Sequence, residues 1–272
     1  MVNRMIYFVP TPIGNLEDIS LRSLRVLQES DIIACEDTRT TKKLLDHYDI
    51  KAQLISYHKF NEFSRIEEII SLSNEEKQIS VVSDAGMPGI SDPGNILINA
   101  LIENNIKYTV LPGASAFTTA LVLSGFDNTQ FTFLGFIPSK SGERNRFIDS
   151  IKNRNETLIF YETPHRLVKT LEQFAKVIPN RRIAVVREIS KIYEEILIFE
   201  ASDYENVDIK EKGEFVILVD KNEEIIEITD EYILEKLKEE IQNGKTKKTA
   251  VKEISKELDI SKNRVYNLSI EI

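Results

Sequence analysis

Short apolar runs alternate with amphipathic stretches through the first half of the chain. Ile6-Tyr7-Phe8-Val9, Ile32-Ile33-Ala34-Cys35, Ile79-Ser80-Val81-Val82 and Tyr108-Thr109-Val110-Leu111 predict buried strands. Between them, apolar residues at helical spacing predict helices near 21–28, 41–48, 65–72 and 96–104. Such alternation builds a mostly parallel sheet with helices on both faces. A second series of apolar runs follows at 131–134, 158–161, 183–186, 196–199 and Phe215–Val219. The last three lie close together with no good helix between them, so this second sheet is expected to be mixed, with antiparallel strands late in the chain.

The break between the halves falls after Pro112-Gly113-Ala114-Ser115, where a helix begins that could bridge the two. The pattern therefore divides an α/β protein into a first α/β domain over 1–114 and a second over 115–222. Past Asp220 the pattern changes. Apolar residues at Ile233, Leu234, Leu237 and Ile241, then Ala250, Val251, Ile254 and Leu258, then Val265 and Leu268 predict three short helices in a small domain over 227–272. The stretch 247–258, the turn Asp259-Ile260-Ser261 and a helix from Lys262 have the form of a helix-turn-helix, with Ser261 a natural N-cap.

Composition narrows the function classes. At 272 residues, 42% of them hydrophobic, the chain can bury two ordinary cores. No stretch approaches the roughly eighteen apolar residues of a membrane span, and Met1-Val2-Asn3-Arg4-Met5 runs straight into a strand, so a cytoplasmic protein without a leader or membrane contact is expected. The single cysteine, Cys35, excludes an internal disulfide, and with His47, His58 and His165 scattered along the chain no metal site is expected. A net charge of −9 argues against a protein that coats nucleic acid indiscriminately. Two basic islands stand out on this acidic chain. Seven Lys/Arg face three Asp/Glu over 244–266, and five face two over 140–154, which fits either a polyanion met along a defined track or solvated helix faces.

Chemistry is concentrated at the strand ends. Ser83-Asp84-Ala85-Gly86-Met87-Pro88-Gly89-Ile90-Ser91-Asp92-Pro93-Gly94 holds three glycines and two prolines, so its backbone turns repeatedly and offers N–H and C=O groups to a polar ligand. It matches neither the dinucleotide fingerprint nor the phosphate-cradling loop of nucleotide hydrolases. Other polar or Gly/Pro-rich loops fall at 10–18, 36–39, 112–116, 135–142 and 162–166. In open α/β sheets such loops gather outside the carboxyl ends of the strands and can form one cleft between two domains.

Val9-Pro10-Thr11-Pro12-Ile13-Gly14-Asn15-Leu16-Glu17-Asp18-Ile19, Cys35-Glu36-Asp37-Thr38-Arg39, the glycine-rich loop, Pro112-Gly113-Ala114-Ser115-Ala116, Gly135-Phe136-Ile137-Pro138, Tyr161-Glu162-Thr163-Pro164-His165-Arg166 and Arg187-Glu188-Ile189-Ser190-Lys191 resemble, in order, the ribosomal RNA small subunit methyltransferase I family of the tetrapyrrole methylase superfamily. The resemblance runs from Ile6 to about Val219, and the basic tail is similar to that family's small C-terminal domain. It implies two α/β domains of the tetrapyrrole methylase (class III methyltransferase) type with S-adenosylmethionine in the cleft between them, usually as a homodimer. The implied reaction is methylation of the ribose 2′-oxygen of a cytidine in the decoding region of small-subunit ribosomal RNA, free or in the assembled subunit. Carried over by position, Asp84, Ala85, Gly86, Met87 and Ile90 would face the cofactor from one side, Ser115 and Ala116 from the other, and Pro10 would lie in the first turn. Met87 stands where the family pattern leads one to expect Thr, which removes a hydroxyl contact there.

A ribose hydroxyl needs a base within hydrogen-bond reach as its proton leaves. Asp37, Glu162 and His165 come from matching loops, with Asp37 or Glu162 favoured as the base. Each also fits a structural role: Asp37 as the cap of the following helix, and Glu162 and His165 as residues around a helix start at Pro164. For the RNA, the resemblance and the charge pattern point to Arg39, Lys140, Arg144, Arg146 and Arg166 beside the cleft and to Lys247, Lys248 and Arg264 in the tail. Two other readings share parts of the pattern. A methylase of a porphyrin or corrin precursor would share fold and cofactor, and a transcription regulator would use the helix-turn-helix, although its last helix lacks the Asn, Gln or multiple Arg of a base reader.

Overall fold

Continuous apolar runs become the central strands of two sheets in a computed structural model that describes residues 5–222, 229–258, 260–270 and 272. The first sheet is parallel and contains β1 (Ile6–Phe8), β2 (Ile32–Cys35), β3 (Gln53–Ser56), β4 (Ile79–Val82) and β5 (Tyr108–Val110) in the order β3-β2-β4-β1-β5. Helices α1 (Leu21–Glu29), α2 (Thr38–His47), α3 (Glu62–Asn74) and α4 (Asn95–Glu103) cover it. On one face Phe8, Ala34 and Val81 pack with Ile69, Leu97 and Leu101; on the other Val9, Ile33, Cys35 and Val82 pack with Val26, Leu27 and Leu45. Burial on both faces is why β2 and β4 are apolar at nearly every position. Helix starts follow local chemistry, with Ser20 capping α1 and Asp37 capping α2 through the N–H groups of Ser23 and Arg39.

The pattern along the chain predicts no strand between the second and third helices, yet β3 pairs in parallel with β2 there. It is a half-exposed edge strand with apolar residues only at Leu54 and Ile55, too short to present an alternation.

The second sheet contains β6 (Phe131–Phe136), β7 (Thr157–Glu162), β8 (Arg182–Arg187), β9 (Glu195–Glu200) and β10 (Phe215–Val219) in the order β6-β7-β10-β8-β9. β6 and β7 are parallel, β10 is antiparallel to both its neighbours, and β8 and β9 form an antiparallel pair, so the late strands are antiparallel as the pattern predicts. Helix α5 (Ala116–Ser124) packs Ala120 and Leu121 onto one face against Ile159, Ala184 and Val216. Helices α6 (Ser141–Ser150) and α7 (Pro164–Val177) close the other face with Ile148, Leu167, Leu171 and Phe174. The β6–β7 register shifts between Phe133 and Phe136, with Gly135 at φ +67°. This irregularity brings both phenylalanines against Tyr161 although they are three residues apart.

The chain divides into two compact units, one through Lys221 that holds both sheets and one from Asn222 onward. The second unit contains α8 (Asp230–Gln242), α9 (Lys247–Glu257) and α10 (Lys262–Ser269) around a core of Ile233, Leu237, Ala250, Val251, Ile254, Val265 and Leu268. Ser261 caps α10 by accepting the Arg264 N–H at 3.2 Å. Asp259 of the expected turn, positions 227 and 228, and the first four residues lie outside the described residues.

Candidate active site

The loops after β1, β4 and β5 meet at the carboxyl end of the first sheet, where the connections from β1 and from β4 leave in opposite directions. Thr11 and Gly86 exchange both backbone hydrogen bonds at 3.0 Å, and the Thr11 hydroxyl donates to the Ser83 carbonyl at 3.1 Å. The first loop thus clamps the glycine-rich one. Gly86 is buried at φ +80°, and a Cβ there would stand 3.3 Å from Ile13 Cγ2, so glycine suits both the backbone and the space. A Cβ on Gly113 would stand 2.7 Å from Pro10 Cβ, which packs the loop after β5 directly on the first turn.

The far end of the glycine-rich loop is pinned by a buried carboxylate. Glu62, at the start of α3, accepts the Tyr57 hydroxyl at 2.9 Å and the Gly94 N–H at 3.0 Å. Nearer its start, Asp84 Oδ1 accepts the Asp37 N–H at 3.0 Å, joining the loop to the end of β2.

These loops form one wall of a cleft of about 470 Å³. Glu36, Asp84 and Asp92 line this wall, and the facing wall, built from α5 and the second sheet, carries Phe117, Phe136, Tyr161 and Ile189. Phe117 and Phe133 stack at 4.5 Å, and Tyr161 contacts both Phe133 and Phe136 edge-on. Burial, followed by the charges of Asp92 and Asp84, pushes the Glu36 carboxyl above the ordinary glutamate range. Burial, followed by the charge of Asp84, does the same to Asp92. Burial also raises the Tyr161 phenol to about 12. One wall of the cleft is therefore acidic and partly desolvated, and the facing wall is aromatic.

The expected cofactor residues Asp84, Ala85, Gly86, Met87, Ile90, Ser115 and Ala116 all line this cleft. Pro10 is buried behind Gly113 and is not among the lining residues. The expected bases fare differently. Asp37 is not among the lining residues; its carboxylate caps α2 and takes three hydrogen bonds from the Arg39 guanidinium. These hydrogen bonds hold it at about 2, a weak base. Glu162 lines the cleft, but its carboxylate is fully buried, accepting from Thr163 N–H and the Thr170 hydroxyl and pairing with Arg166 at 2.5 Å. His165 is exposed on α7 and is not among the lining residues. Glu36, the residue beside Asp37, is the half-buried carboxylate that does face the cleft. A signal for it existed in the strand-end position, but the cap motif draws attention to its neighbour.

The basic residues also divide. Lys140 and Arg146 are exposed on or beside α6, and Arg39 is exposed at the start of α2. Arg144 is a correction: it is 3% exposed, donating to Gln173 Oε1 at 2.6 Å and Thr170 Oγ1 at 2.5 Å, so it cannot reach a nucleic acid. Arg166 is half-buried and spends its guanidinium on Glu162, Thr163 and the Ile137 carbonyl. In the helical unit Lys248 is exposed, Lys247 reaches the Ser269 carbonyl at 3.3 Å, and Arg264 pairs with Asp230 at 2.6 Å. Among the described residues no cluster of His, Cys, Asp and Glu could hold a metal ion.

Residues 5–205 match the family described as Tetrapyrrole (Corrin/Porphyrin) Methylases. The chain is 39% identical over 270 residues to "Ribosomal RNA small subunit methyltransferase I" of Halalkalibacterium halodurans, covering 97% of this chain and 93% of that one. It is 40% identical over 272 residues to the protein of the same name from Bacillus subtilis, with the same coverage. Among solved structures, diphthine synthase superposes with a TM-score of 0.65 at 13% identity, covering 79% of this chain and 90% of that one. Uroporphyrin-III C-methyl transferase from Thermus thermophilus, complexed with S-adenyl homocysteine, superposes at 0.56 and 14% identity, covering 83% and 100%. Likeness at that identity is likeness of fold.

Proposed function

The chain belongs to the tetrapyrrole methylase family and, within it, to the ribosomal RNA small subunit methyltransferase I proteins, and from that membership we propose that it methylates the ribose 2′-hydroxyl of a cytidine in the decoding region of small-subunit ribosomal RNA. Its methyl donor is S-adenosylmethionine. When bound, the donor supplies a methyl group on a positively charged sulfur, which passes to the acceptor oxygen as the carbon–sulfur bond breaks.

The residues present fit this donor. A cleft of about 470 Å³ is of ordinary size for a small molecule, and the clamped turn that lines it places a residue without a side chain, Gly86, at its centre. Asp84, Ala85, Gly86, Met87 and Ile90 would hold it from the first domain, and Ser115 and Ala116 from the start of α5. The aromatic wall at Phe117 and Phe136 suits a flat purine ring.

Glu36 is the group that takes the hydroxyl proton in this reading. It is half-buried in the cleft and its elevated pKa makes it a stronger base than a solvated carboxylate, whereas Asp37 and Glu162 are bound to arginines. Holding the acceptor and donor in line supplies much of the remaining barrier reduction. The RNA backbone would meet Arg39, Lys140 and Arg146, and separately the basic face of the helical unit at Lys247, Lys248 and Arg264.

A homodimer is supported by an apolar strip on the second sheet. Ile196 and Ile198 lie on the face that carries α5 and are 36% and 48% exposed, and Val122 of α5 is 76% exposed. No helix among the described residues is long and apolar enough to cross a membrane.

The observation that carries the reading is the main-chain clamp of Thr11 on Gly86 at the floor of a cleft with a half-buried carboxylate. Incubation with methyl-labelled S-adenosylmethionine and, in parallel, assembled small subunits, free ribosomal RNA or a tetrapyrrole tests it. Label should enter the RNA of the subunit or the free RNA as an alkali-resistant 2′-O-methyl nucleotide. Label confined to the tetrapyrrole, or to nothing, overturns it.

A further inference from the structure

Beyond the cleft, the turn after β3 and the start of α3 display two aromatic rings to solvent. Phe60 is 95% exposed and Phe63 is 76% exposed. A single exposed apolar side chain is unremarkable on a protein surface, but two phenylalanines three residues apart, Phe60 on the turn and Phe63 in the first turn of α3, are not explained by packing. Side-chain hydrogen bonds fix the turn. Asn61 Oδ1 accepts the His58 N–H at 2.7 Å, Asn61 Nδ2 donates to the Ser56 carbonyl at 3.1 Å, and His58 Nδ1 accepts the Phe60 N–H at 3.3 Å. The next residue, Glu62, is the one that anchors the end of the glycine-rich loop through Gly94.

The turn also stands beside the candidate base. β3 pairs with β2 so that Ser56 is opposite Cys35, and the Tyr57 N–H donates to the Cys35 carbonyl at 2.8 Å, which sets residue 58 alongside Glu36. The His58 ring in turn lies 6.0 Å from the Phe60 ring. Positive charge accompanies the rings. Lys59 is exposed in the same turn, and α2, which leaves the neighbouring strand, carries exposed Arg39, Lys42 and Lys43 at one-turn spacing.

We propose that this surface is a stacking platform for single-stranded RNA, with nucleobases flanking the target ribose stacked on Phe60 and Phe63 and their phosphates held by Arg39, Lys42, Lys43 and Lys59. It rests on the RNA-methylating reading above and deepens it by saying where the strand leaves the cleft. A ribose whose neighbours are paired in a helix cannot present its hydroxyl deep in a cleft, so the flanking bases must be unstacked, and exposed aromatic rings give them a new partner without reading their identity. The hydrogen-bonded turn and the start of α3 hold the backbone beneath the rings, so only two side-chain torsions per phenylalanine are left to order when RNA arrives.

The test compares the parent with Phe60→Ala/Phe63→Ala and with Phe60→Tyr/Phe63→Tyr. An oligoribonucleotide of the target sequence carrying 2-aminopurine beside the target cytidine is the probe, and assembled small subunits provide the KM. The alanine pair should weaken oligonucleotide binding about tenfold or more, abolish the 2-aminopurine quenching and raise KM for subunits, while S-adenosylhomocysteine binding and thermal midpoint stay at parental values. The tyrosine pair should restore quenching. Lys42→Ala/Lys43→Ala should lower the salt slope of oligonucleotide binding by about 0.7 for each phosphate that is no longer neutralised. Unchanged quenching and KM in the folded alanine variant overturn the platform while leaving the methyltransferase reading intact. So does a fall from dimer to monomer on sedimentation, which would give the rings to a second copy. A parent enzyme that binds no RNA and labels none overturns both.

Discussion

The backbone N–H of Asp37 donates to Asp84 Oδ1 at 3.0 Å and so ties the end of β2 to the glycine-rich loop after β4. The Asp37 carboxylate turns away toward Arg39, and Glu36 is left facing the cleft. Removing the acceptor with Asp84→Ala should free the loop and weaken S-adenosylhomocysteine binding about tenfold, in line with the roughly 0.5–1.5 kcal/mol of one hydrogen bond plus the disorder that follows around it. Asp84→Asn keeps the acceptor oxygen and should lose less. Titration calorimetry of both variants distinguishes a positioning role from a requirement for charge, since equal losses would assign the effect to the charge.

Gly86→Ala should act on the same loop by another route. Alanine at φ +80° is strained by about 1–2 kcal/mol, and its methyl group meets Ile13 where the clamp is tightest. Cofactor affinity is expected to fall by at least tenfold with the helical unit unaffected. Affinity equal to the parent's would show that the ligand does not depend on this turn.

Glu36 is expected to trade stability for chemistry. Its pKa is raised in the folded protein, so the folded state holds this proton to higher pH than the unfolded chain does, and stability declines as pH rises from the ordinary glutamate value of 4.5 through the raised one. Glu36→Gln removes that decline. The variant should melt higher than the parent at pH 8 and with it at pH 4, while its methyl transfer falls by roughly 10²–10⁴-fold and the acid limb of the parent's rate profile disappears. A variant that is more stable and fully active would sink Glu36 as the base.

Most of the architecture was legible because burial on two faces leaves a mark in sequence. Ile32-Ile33-Ala34-Cys35 and Ile79-Ser80-Val81-Val82 are buried throughout and read as strands at once, whereas β3 needs only Leu54 and Ile55 to pack and left no alternation. The glycine-rich loop was legible for the same kind of reason, since Gly86 answers a backbone need that few residues meet. Charged residues were harder. Asp37 is a good cap by composition, and capping is what occupies it. Arg144 lies in a basic island, but its fate is decided by Thr170 and Gln173 from α7, partners that charge counting along the chain cannot see.

The burial of Arg144 converts an expected RNA contact into a structural one. Its guanidinium and the Glu162 carboxylate share the Thr170 hydroxyl, which donates to Glu162 at 2.7 Å and accepts from Arg144. Arg144→Ala leaves the Gln173 and buried Thr170 oxygens without this donor and should destabilise the folded unit by about 1–3 kcal/mol in chemical denaturation. Lys140→Ala/Arg146→Ala should leave stability within about 0.5 kcal/mol, as exposed substitutions do. The salt slope of RNA binding should fall for the second pair alone. A folded Arg144 variant with a reduced slope would return that residue to the RNA.

In the helical unit, the ion pairs predict which basic residues are available to a polyanion. Arg264 is engaged with Asp230, Lys245 with Glu253 at 2.8 Å, and Lys247 with the end of α10, whereas Lys248 and Lys262 are exposed with no partner among the described residues. An arginine already paired must surrender one anion to take another, so its net contribution to phosphate binding is smaller. Lys248→Ala/Lys262→Ala should therefore reduce the salt slope of RNA binding by about 0.7–0.9 per residue, and Arg264→Ala by less. Arg264→Ala should instead lower the thermal midpoint, because α10 is then no longer tied to the start of α8 through Asp230. Measuring affinity from low to moderate salt in both variants decides between them: a larger slope change for Arg264→Ala would mean that its pair with Asp230 opens when RNA binds.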